Sequence, residues 1–288
     1  MLEYKSRSKN KLSRVIAIVG LGLIGGSLAK AISKYTDNKV WGIDNNPPVI
    51  DEALECNAID RAIKPDELNN ADIIFLCLYP DECVDFIIKN AAYLRKDAIV
   101  TDVCGVKASV VEKILPIAKE YGFEYLPGHP MAGKEKGGFY NSDSQLFKGA
   151  SYIFTPCSCS QNTVNLLKTL ALEIGFGRIT ITTPKEHDQM IAFTSQIPHI
   201  LACAYMFSPR SEKHYGYSAG SYRDISRVAD INENLWTQAF IQNRECLVKE
   251  TDELIENLTI LRDAVNNKDY LNLKALLKKG GDLKRRLG

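Results

Sequence analysis

A glycine-rich turn between an apolar strand-like run and a helical pattern constrains this chain more than any other feature. Gly20, Gly22 and Gly25 form a GxGxxG motif that directly follows the β-branched run Val15–Val19. The first glycine allows a tight turn, the second lets a pyrophosphate approach the backbone, and the third lets helix and strand pack closely. The motif in this context predicts a dinucleotide-binding domain.

The residues around this turn indicate which dinucleotide binds. The helix that begins near Leu23 and Ile24 presents free N–H groups and a partial positive charge to the phosphates. Asp44 lies 19 residues after Gly25, at the end of the second strand-like run, where a carboxylate accepts hydrogen bonds from the adenosine ribose. A carboxylate repels a 2′-phosphate, and no Arg or Lys immediately follows Asp44. We therefore expect NAD rather than NADP.

Strand-like and helical patterns alternate through the first half of the chain. The apolar runs are nearly continuous, which is typical of parallel strands buried on both faces. This alternation predicts an α/β fold, with a Rossmann-like, doubly wound and mostly parallel sheet over residues 1–184. Tyr79 ends the third run and is a candidate cofactor contact, because loops at the carboxyl ends of such strands line the cofactor crevice. After Val15–Val19, the predicted strands are Lys39–Ile43, Asp72–Leu78, Ala98–Thr101, Glu124–Leu126, Ser151–Phe154 and Arg178–Thr182.

The chain after residue 184 carries no convincing strand pattern, so we predict an all-α C-terminal domain over residues 185–288. His187–Tyr205 is apolar and rich in small residues, which predicts a buried helix kinked at Pro198. A last short helix around Leu271–Leu277 is expected to stop at Gly280 and Gly281. A helix that is apolar all round needs partners on every side, and a second subunit would supply them. We therefore expect a homodimer through the C-terminal helices. Another predicted helical face carries Leu247, Leu254, Leu258, Leu261 and Val265.

The composition excludes several classes of protein. Lys plus Arg number 36 and Asp plus Glu 35, so a net charge of +1 gives no basic field for nucleic acid. No stretch approaches the roughly 18 apolar residues of a membrane span. Residues 1–10 are polar and basic and do not resemble a secretory signal. The eight cysteines include no CxxC pair, so we expect reduced thiols, no metal site and a cytoplasmic location.

A second glycine-bounded motif carries the candidate chemistry. Gly128–Gly133 reads GHPMAG and follows the predicted fifth strand. A histidine on a loop at the carboxyl end of a strand lies on the cofactor side of such a sheet. His129 could then serve as a general acid or base near neutral pH. From the residues alone, a lone histidine in a loop is more often structural than catalytic.

The chain resembles the prephenate/arogenate dehydrogenase family of tyrosine biosynthesis. The GHPMAG motif, followed by a downstream HD pair and a YRDISR segment, is the specific part of this resemblance, whereas GLGLIGGS is shared with other dehydrogenases. The matching segments are Gly20–Ser27 (GLGLIGGS), Thr101–Lys107 (TDVCGVK), Gly128–Phe139 (GHPMAGKEKGGF), His187-Asp188, Ser195–Ala202 (SQIPHILA) and Ser218–Arg227 (SAGSYRDISR).

This resemblance implies an NAD(P)-dependent oxidative decarboxylation of a cyclohexadienol. By resemblance, His129 is the catalytic histidine that takes the proton of the ring hydroxyl as hydride leaves the same carbon. Arg227 matches the arginine that binds a substrate carboxylate, since a guanidinium fork suits a carboxylate. Asp224 would share a helical face with Arg227 and orient it. His187 and Asp188 match the HD pair and are expected to line the substrate pocket, unless they merely begin a helix there.

One residue departs from the family pattern. Many members carry a serine before the Val-Lys of the TDVCGVK segment, where its hydroxyl reaches the active-site histidine, but Gly105 occupies that position here. We therefore assign no serine role.

Three alternatives to a prephenate dehydrogenase stay open. An arogenate (cyclohexadienyl) dehydrogenase would pair the amine of its substrate with an acid such as Asp188. A β-hydroxyacid dehydrogenase also joins a Rossmann domain to a helical one. A non-catalytic NAD-binding regulator is the third alternative, and Gly105 is the feature that keeps it open.

Overall fold

The computed structural model describes residues 13–287 and has a six-stranded sheet at the centre of its N-terminal half. The strands are β1 (Val15–Val19), β2 (Lys39–Ile43), β3 (Arg61–Ala62), β4 (Ile73–Leu76), β5 (Ile99–Asp102) and β6 (Glu124–Tyr125). Their order is β3-β2-β1-β4-β5-β6, and every neighbouring pair is parallel. The order reverses between β1 and β4, which makes the carboxyl ends of these two strands a ligand-binding switch point.

Both faces of this sheet are buried, as the continuous apolar runs predicted. In β1, Ile16 and Ile18 join one hydrophobic cluster, while Ala17 and Val19 join a second. Because successive side chains of a strand point to opposite faces, the two clusters lie on opposite sides of the sheet. The predicted Rossmann-like class is confirmed. The helices of this half are α1 (Leu23–Tyr35), α2 (Pro47–Glu55), α3 (Pro80–Asn90), α4 (Ala108–Tyr121) and α5 (Gln161–Glu173).

A second, three-stranded sheet departs from the expected arrangement. It contains β7 (Gly128–Pro130), β8 (Ser151–Phe154) and β9 (Arg178–Ile181). Its β7–β8 pair is antiparallel and its β8–β9 pair is parallel. The last two predicted strands therefore exist but do not extend the main sheet. The N–H groups of Glu124 and Leu126 donate to the β5 segment, and after them the carbonyl of Pro127 accepts the N–H of Thr155, which follows β8, so the chain pairs with β8 from there on. His129 lies on β7 and not on the loop that we predicted.

The part of the chain from residue 182 to residue 287 contains helices and no strand. They are α6 (Pro184–Ile191), α7 (Ile197–Met206), α8 (Gly220–Ser226), α9 (Glu233–Gln242), α10 (Arg244–Asn266) and α11 (Tyr270–Leu287). A π-helical turn, Ala192–Gln196, links α6 to α7 directly before Pro198. Phe193 is 60% exposed, so the predicted buried helix is not covered all round within one chain.

The described residues divide into two compact units that do not follow chain order. The first contains the described chain up to Asp188 together with Asp230–Gln242, and the second contains Gln189–Ala229 and the chain from Asn243. Helix α9 thus groups with the sheet although it comes from the C-terminal half. The domain boundary at residue 184 stays a prediction.

The predicted helix end at Gly280 and Gly281 is wrong, because α11 runs through both glycines to Leu287. A helical glycine costs about 1 kcal/mol relative to alanine but does not end a helix by itself. Ion pairs from Asp282 to Lys278 and Arg285 bridge the two glycines along the helix surface.

Across residues 13–287, no helix is both long enough and apolar enough to cross a bilayer. The predicted absence of a signal sequence concerns residues 1–10, which lie outside the described residues.

Candidate active site

At two positions of the turn after β1, Gly20 and Gly25, the backbone geometry leaves no room for any residue but glycine. Gly20 has φ of +87°, and a Cβ there would lie 2.6 Å from the carbonyl oxygen of Cys77. Its N–H donates to the carbonyl of Ile43 at 2.8 Å, which ties the turn to β2. At Gly25, a Cβ would lie 1.8 Å from the carbonyl oxygen of Gly20. Strand β1 and helix α1 therefore approach as closely as the motif predicted.

Gly22 differs from these two glycines because its surroundings are open. Beyond Gly22 and its two chain neighbours, no heavy atom lies within 4 Å of the position that a Cβ would take. Gly22 is the N-cap of α1, which has no side-chain cap and no acidic residue in its first turn. The N–H groups that begin α1 near Leu23 and Ile24 thus lack a side-chain cap, and the helix dipole adds positive potential. This cradle fits a pyrophosphate, the use that we predicted for these residues.

The carboxylate of Asp44 is fixed at the end of β2, beside the glycine turn. One oxygen accepts the N–H of Leu21 at 2.7 Å, and the other accepts the N–H of Asn46 at 2.8 Å. Each carboxylate oxygen can accept a second hydrogen bond, so the group keeps acceptor capacity for ribose hydroxyls. The four residues after it, Asn45 to Pro48, are exposed and include no cation for a 2′-phosphate.

Tyr79 is the N-cap of α3, three residues after β4. Its hydroxyl accepts a hydrogen bond from the Nδ2 group of Asn232 at 3.3 Å. Asn232 lies just before α9, so a segment distant in sequence reaches the loop after β4 within the first unit. The cofactor contact of Tyr79 stays a prediction.

A hydrogen-bonded chain of three side chains lies at the same carboxyl edge, where β7 follows β6. His129 Nδ1 lies 2.9 Å from His187 Nε2, and His187 Nδ1 lies 2.7 Å from Asp188 Oδ1. His187 and Asp188 are buried on α6, and His129 is half-buried. The structure thus joins three predicted site residues in one line.

The carboxylate of Asp188, at the buried end of this line, determines which nitrogen of each imidazole carries the proton. The ionised carboxylate of Asp188 only accepts, so His187 carries its proton on Nδ1 and accepts at Nε2. His129 must then donate from Nδ1, which leaves the lone pair of its Nε2 free. A Cβ built on Gly105 would lie 3.8 Å from this Nε2, and beyond Gly105 and its two chain neighbours only the His129 ring lies within 4 Å of that position. The free nitrogen therefore borders open space, as a general base requires.

Burial keeps the two imidazoles neutral. The pKa of His129 lies well below its ordinary value, first because of burial and then because of the neighbouring His187 and Lys107. Burial also lowers the pKa of His187, although its hydrogen bond to Asp188 acts in the opposite direction. At neutral pH, His129 is therefore available to accept a proton.

Asp188 also caps helix α4, a role that the sequence did not predict. Its two oxygens accept the backbone N–H groups of Lys107 and Ala108, each at 2.8 Å, at the start of α4. Asp188 therefore caps α4 from another helix, a stabilising place for a carboxylate. Our alternative, in which the HD pair begins its own helix, placed the dipole contact on the wrong helix. No spacing or residue type in the sequence marks this contact, because Asp188 accepts backbone N–H groups about 80 residues away.

Arg227 and Asp224 belong to the second unit. Asp224 lies on α8 and Arg227 begins the 3-10 turn that follows it, and both side chains are exposed. No ion pair joins them within residues 13–287, and their substrate contacts stay predictions. The same described residues contain no group of three or more His, Cys, Asp or Glu that could hold a metal ion.

Two family models match the chain in succession. The model described as "Prephenate dehydrogenase, nucleotide-binding domain" matches residues 28–180. The model described as "Prephenate dehydrogenase, dimerization domain" matches residues 183–279. Together they confirm the predicted order of a nucleotide-binding domain followed by a helical dimerisation domain.

Individual relatives extend over most of the chain. A cyclohexadienyl dehydrogenase of Zymomonas mobilis is 33% identical over 265 residues, which cover 88% of this chain and 89% of that protein. A prephenate dehydrogenase of Bacillus subtilis is 29% identical, covering 95% of this chain and 76% of that protein.

The solved structures similar to this chain include prephenate and arogenate dehydrogenases. The structure of prephenate dehydrogenase from A. aeolicus in complex with hydroxyphenyl propionate and NAD+ has a TM-score of 0.86 and 25% identity, covering 98% of this chain and 100% of that one. Synechocystis arogenate dehydrogenase has a TM-score of 0.82 and 27% identity, covering 95% and 100%. A 3-hydroxyisobutyrate dehydrogenase of Mycobacterium tuberculosis, with a TM-score of 0.54 and 18% identity over 77% and 72%, shares the fold alone.

Proposed function

Because this chain belongs to the prephenate dehydrogenase family, we propose that it converts prephenate to 4-hydroxyphenylpyruvate by NAD-dependent oxidation and decarboxylation. The observation that carries this proposal is the line Asp188–His187–His129, which ends in a free imidazole nitrogen at the carboxyl edge of the nucleotide-binding sheet. An oxidoreductase that removes hydride from a ring alcohol needs a neutral base in this place.

His129 acts as the base and later as the acid. Its Nε2 accepts the proton of the ring hydroxyl while the hydride leaves the same carbon. The ring carboxylate then departs as CO2, and the electron pair of the broken carbon–carbon bond moves through the ring to the oxygen. His129 returns its proton to that oxygen, which completes an aromatic phenol. Aromatisation makes the decarboxylation strongly favourable.

Because His187 and Asp188, which the sequence predicts to line the substrate pocket, are both buried, we assign them to support of the proton transfer instead of direct substrate contact. Asp188 fixes the tautomer of His187, and His187 fixes the orientation of the His129 ring. When His129 becomes protonated, its Nδ1–H already has an acceptor, so the cation forms without reorganisation of the site.

The cofactor of this reaction is NAD+, which supplies the hydride acceptor when it is bound. Gly20, Gly22 and Gly25 leave room for its pyrophosphate at the start of α1, and Asp44 offers acceptors to its ribose. The A. aeolicus prephenate dehydrogenase, solved in complex with NAD+, supports this choice of cofactor. Arg227 is assigned to a substrate carboxylate, whereas Asp224, which forms no ion pair with Arg227 among the described residues, keeps only its predicted place in the substrate site.

Arogenate is the second candidate substrate. It is favoured by the arogenate dehydrogenase of Synechocystis and by the cyclohexadienyl dehydrogenase of Zymomonas mobilis among the relatives. The pocket acid that we considered for the amine of arogenate, Asp188, is buried and already holds His187 and the start of α4. Prephenate, which has a keto group in place of the amine, is therefore our preferred substrate.

The deciding experiment measures NADH formation by the purified protein with prephenate and with arogenate under identical conditions. We expect NADH and 4-hydroxyphenylpyruvate from prephenate, with the larger kcat/KM for this substrate. A larger kcat/KM for arogenate would reverse the preference. NAD+ binding in calorimetry without turnover of either compound would instead support the regulator, and turnover of 3-hydroxy acids would support a β-hydroxyacid dehydrogenase.

The assembly and the location complete the proposal. We assign a homodimer formed through the C-terminal helices, which the exposed Phe193 on the π-helical turn and the matching dimerisation model support. We place the protein in the cytoplasm, since all eight cysteines are unbridged. Sedimentation of the purified protein at several concentrations tests the dimer.

A further inference from the structure

We propose that Lys107 is a positioning residue for this reaction, because it fixes His129 and Asp188 at the same time. The inference rests on the proposed dehydrogenase activity, since turnover is its principal readout. Lys107 touches neither His129 nor His187 by a hydrogen bond. It acts through the backbone before His129 and through the carboxylate that ends the imidazole line.

The side chain of Lys107 fixes the start of β7. It is fully buried, and its ammonium donates to the carboxylate of Asp102 and, at 2.7 Å, to the carbonyl oxygen of Gly128. Gly128 immediately precedes His129, so this carbonyl sets where the imidazole begins. The position has little freedom, because a Cβ on Gly128 would lie 2.8 Å from the ring of Tyr152.

The backbone of Lys107 fixes the opposite end of the line. Its N–H donates to Asp188 Oδ1 at 2.8 Å, the same oxygen that accepts from His187. The path from Lys107 through Asp188, His187 and His129 to Gly128 therefore returns to Lys107. A closed path of this kind holds the free nitrogen of His129 in one place, which hydride transfer requires.

The buried Lys107–Asp102 ion pair is compensated by hydrogen bonds, so we expect its net contribution to the free energy of unfolding to be small. Asp102 accepts the Tyr125 hydroxyl at 2.6 Å and the Cys104 N–H at 2.9 Å in addition to Lys107. Replacing a buried ion pair with apolar residues is often neutral or stabilising. The bond from the ammonium to the Gly128 carbonyl therefore accounts for a lysine side chain at this position where fold stability does not, while the Asp188 contact needs only the backbone N–H.

The charge of Lys107 also acts on the base. It lowers the pKa of His129, after burial and His187. Removing this charge raises the pKa of His129, so the imidazole stays protonated to a higher pH. The acid limb of the pH–activity profile therefore moves to higher pH. The ionisable groups around this imidazole are His187 and Asp188 on α6, Lys107 before α4, Cys104 and Asp102 at the end of β5, and Tyr125 on β6.

The test compares Lys107→Met with the double variant Asp102→Asn/Lys107→Met and with Lys119→Met. Lys119 is an exposed lysine on α4, the helix that Lys107 precedes, and serves as the matched control. For Lys107→Met we expect kcat to fall about 100-fold, an unchanged KM for NAD+ and an acid limb at higher pH. In the double variant, which keeps no unpaired buried charge, kcat stays low while the acid limb returns toward that of the wild type. Lys119→Met behaves as the wild type.

A kcat for Lys107→Met equal to that of Lys119→Met would overturn the inference. If Lys107→Met does not fold, a folded double variant with the kcat of the wild type overturns it equally. Absence of NADH formation by the wild type with prephenate and with arogenate is a different result, because it rejects the proposed function and not the positioning role.

Discussion

The glycine turn and the imidazole line lie at the same edge of the sheet but are built in opposite ways. The turn is made by the backbone of one short segment, Gly20–Gly25, and by the carboxylate that ends the next strand, Asp44. The imidazole line joins the side chains of His129, His187 and Asp188, and its far end accepts the backbone N–H of Lys107. The first region is therefore encoded by local spacing, and the second exists only once distant segments have packed together.

Replacing the base is expected to have the largest effect on activity while leaving the glycine turn untouched. For His129→Asn we expect kcat to fall about 10³-fold or more, since general acid–base catalysis contributes about 10²–10⁴-fold. Binding of NAD+ stays that of the wild type, because the pyrophosphate cradle contains no part of this line. Stopped-flow NADH absorbance measures the first quantity and calorimetry the second.

The matched control for this variant is His214→Asn. His214 is a histidine of the second unit, bonded to Ser218 and stacked on Tyr222, and it has no assigned role in the reaction. Equal losses in the two variants would mean that His129 is not the base, and the separation of the two regions would then fail.

Two glycines of the turn should respond differently to one added methyl group. Gly25→Ala places a Cβ 1.8 Å from the carbonyl oxygen of Gly20, whereas Gly22→Ala meets no protein atom within 4 Å. Overpacking at Gly25 costs about 1–3 kcal/mol, so we expect a Tm lower by several degrees. Gly22→Ala should keep the Tm of the wild type and weaken NAD+ binding about tenfold or more, in the space reserved for the pyrophosphate.

Differential scanning calorimetry and titration with NAD+ distinguish these outcomes. If Gly22→Ala lowers the Tm as much as Gly25→Ala, the space above Gly22 is not a cradle. If Gly22→Ala binds NAD+ as tightly as the wild type, the pyrophosphate lies elsewhere.

The same contrast explains which features could be predicted from the sequence. The strands β1, β2, β4 and β5 were visible as apolar runs because burial on both faces leaves no polar alternation. The two-residue β3 was not predicted, since two exposed residues carry no pattern. The small sheet was assigned to the main one because its residues have ordinary strand composition, and only pairing distinguishes the two sheets.

Within the site, residue types were easier to predict than partners. His129 was predicted from a resemblance, whereas its contact with His187 spans 58 residues and leaves no periodic trace. The capping of α4 by Asp188 and the closed path through Lys107 also depend on contacts between segments distant in sequence, so they could not be predicted either. Long-range hydrogen bonds of this kind follow from tertiary packing and not from spacing.

Removing the charge of Asp44 should weaken cofactor binding moderately. A hydrogen bond to a charged group contributes about 1.5–3 kcal/mol, so we expect Asp44→Asn to bind NAD+ about tenfold more weakly. The preference for NAD+ over NADP+ should narrow at the same time, because the repulsion of the 2′-phosphate disappears. Asp51→Asn, which removes an exposed carboxylate from α2, is the control. An unchanged ratio of the two affinities would remove Asp44 from the ribose site.

The smallest expected effect on activity comes from substitutions at Gly105, which lies beside the His129 ring. A Cβ at this position contacts only His129, at 3.8 Å from Nε2, so Gly105→Ala should be tolerated. Gly105→Ser adds a hydroxyl within reach of that nitrogen, and one hydrogen bond of about 1 kcal/mol should raise kcat/KM about fivefold. The ratio of the serine to the alanine variant isolates the hydroxyl from the methylene. Equal values for the two variants would show that no such bond forms, and a large loss in both would mean that the substrate itself needs the space beside Gly105.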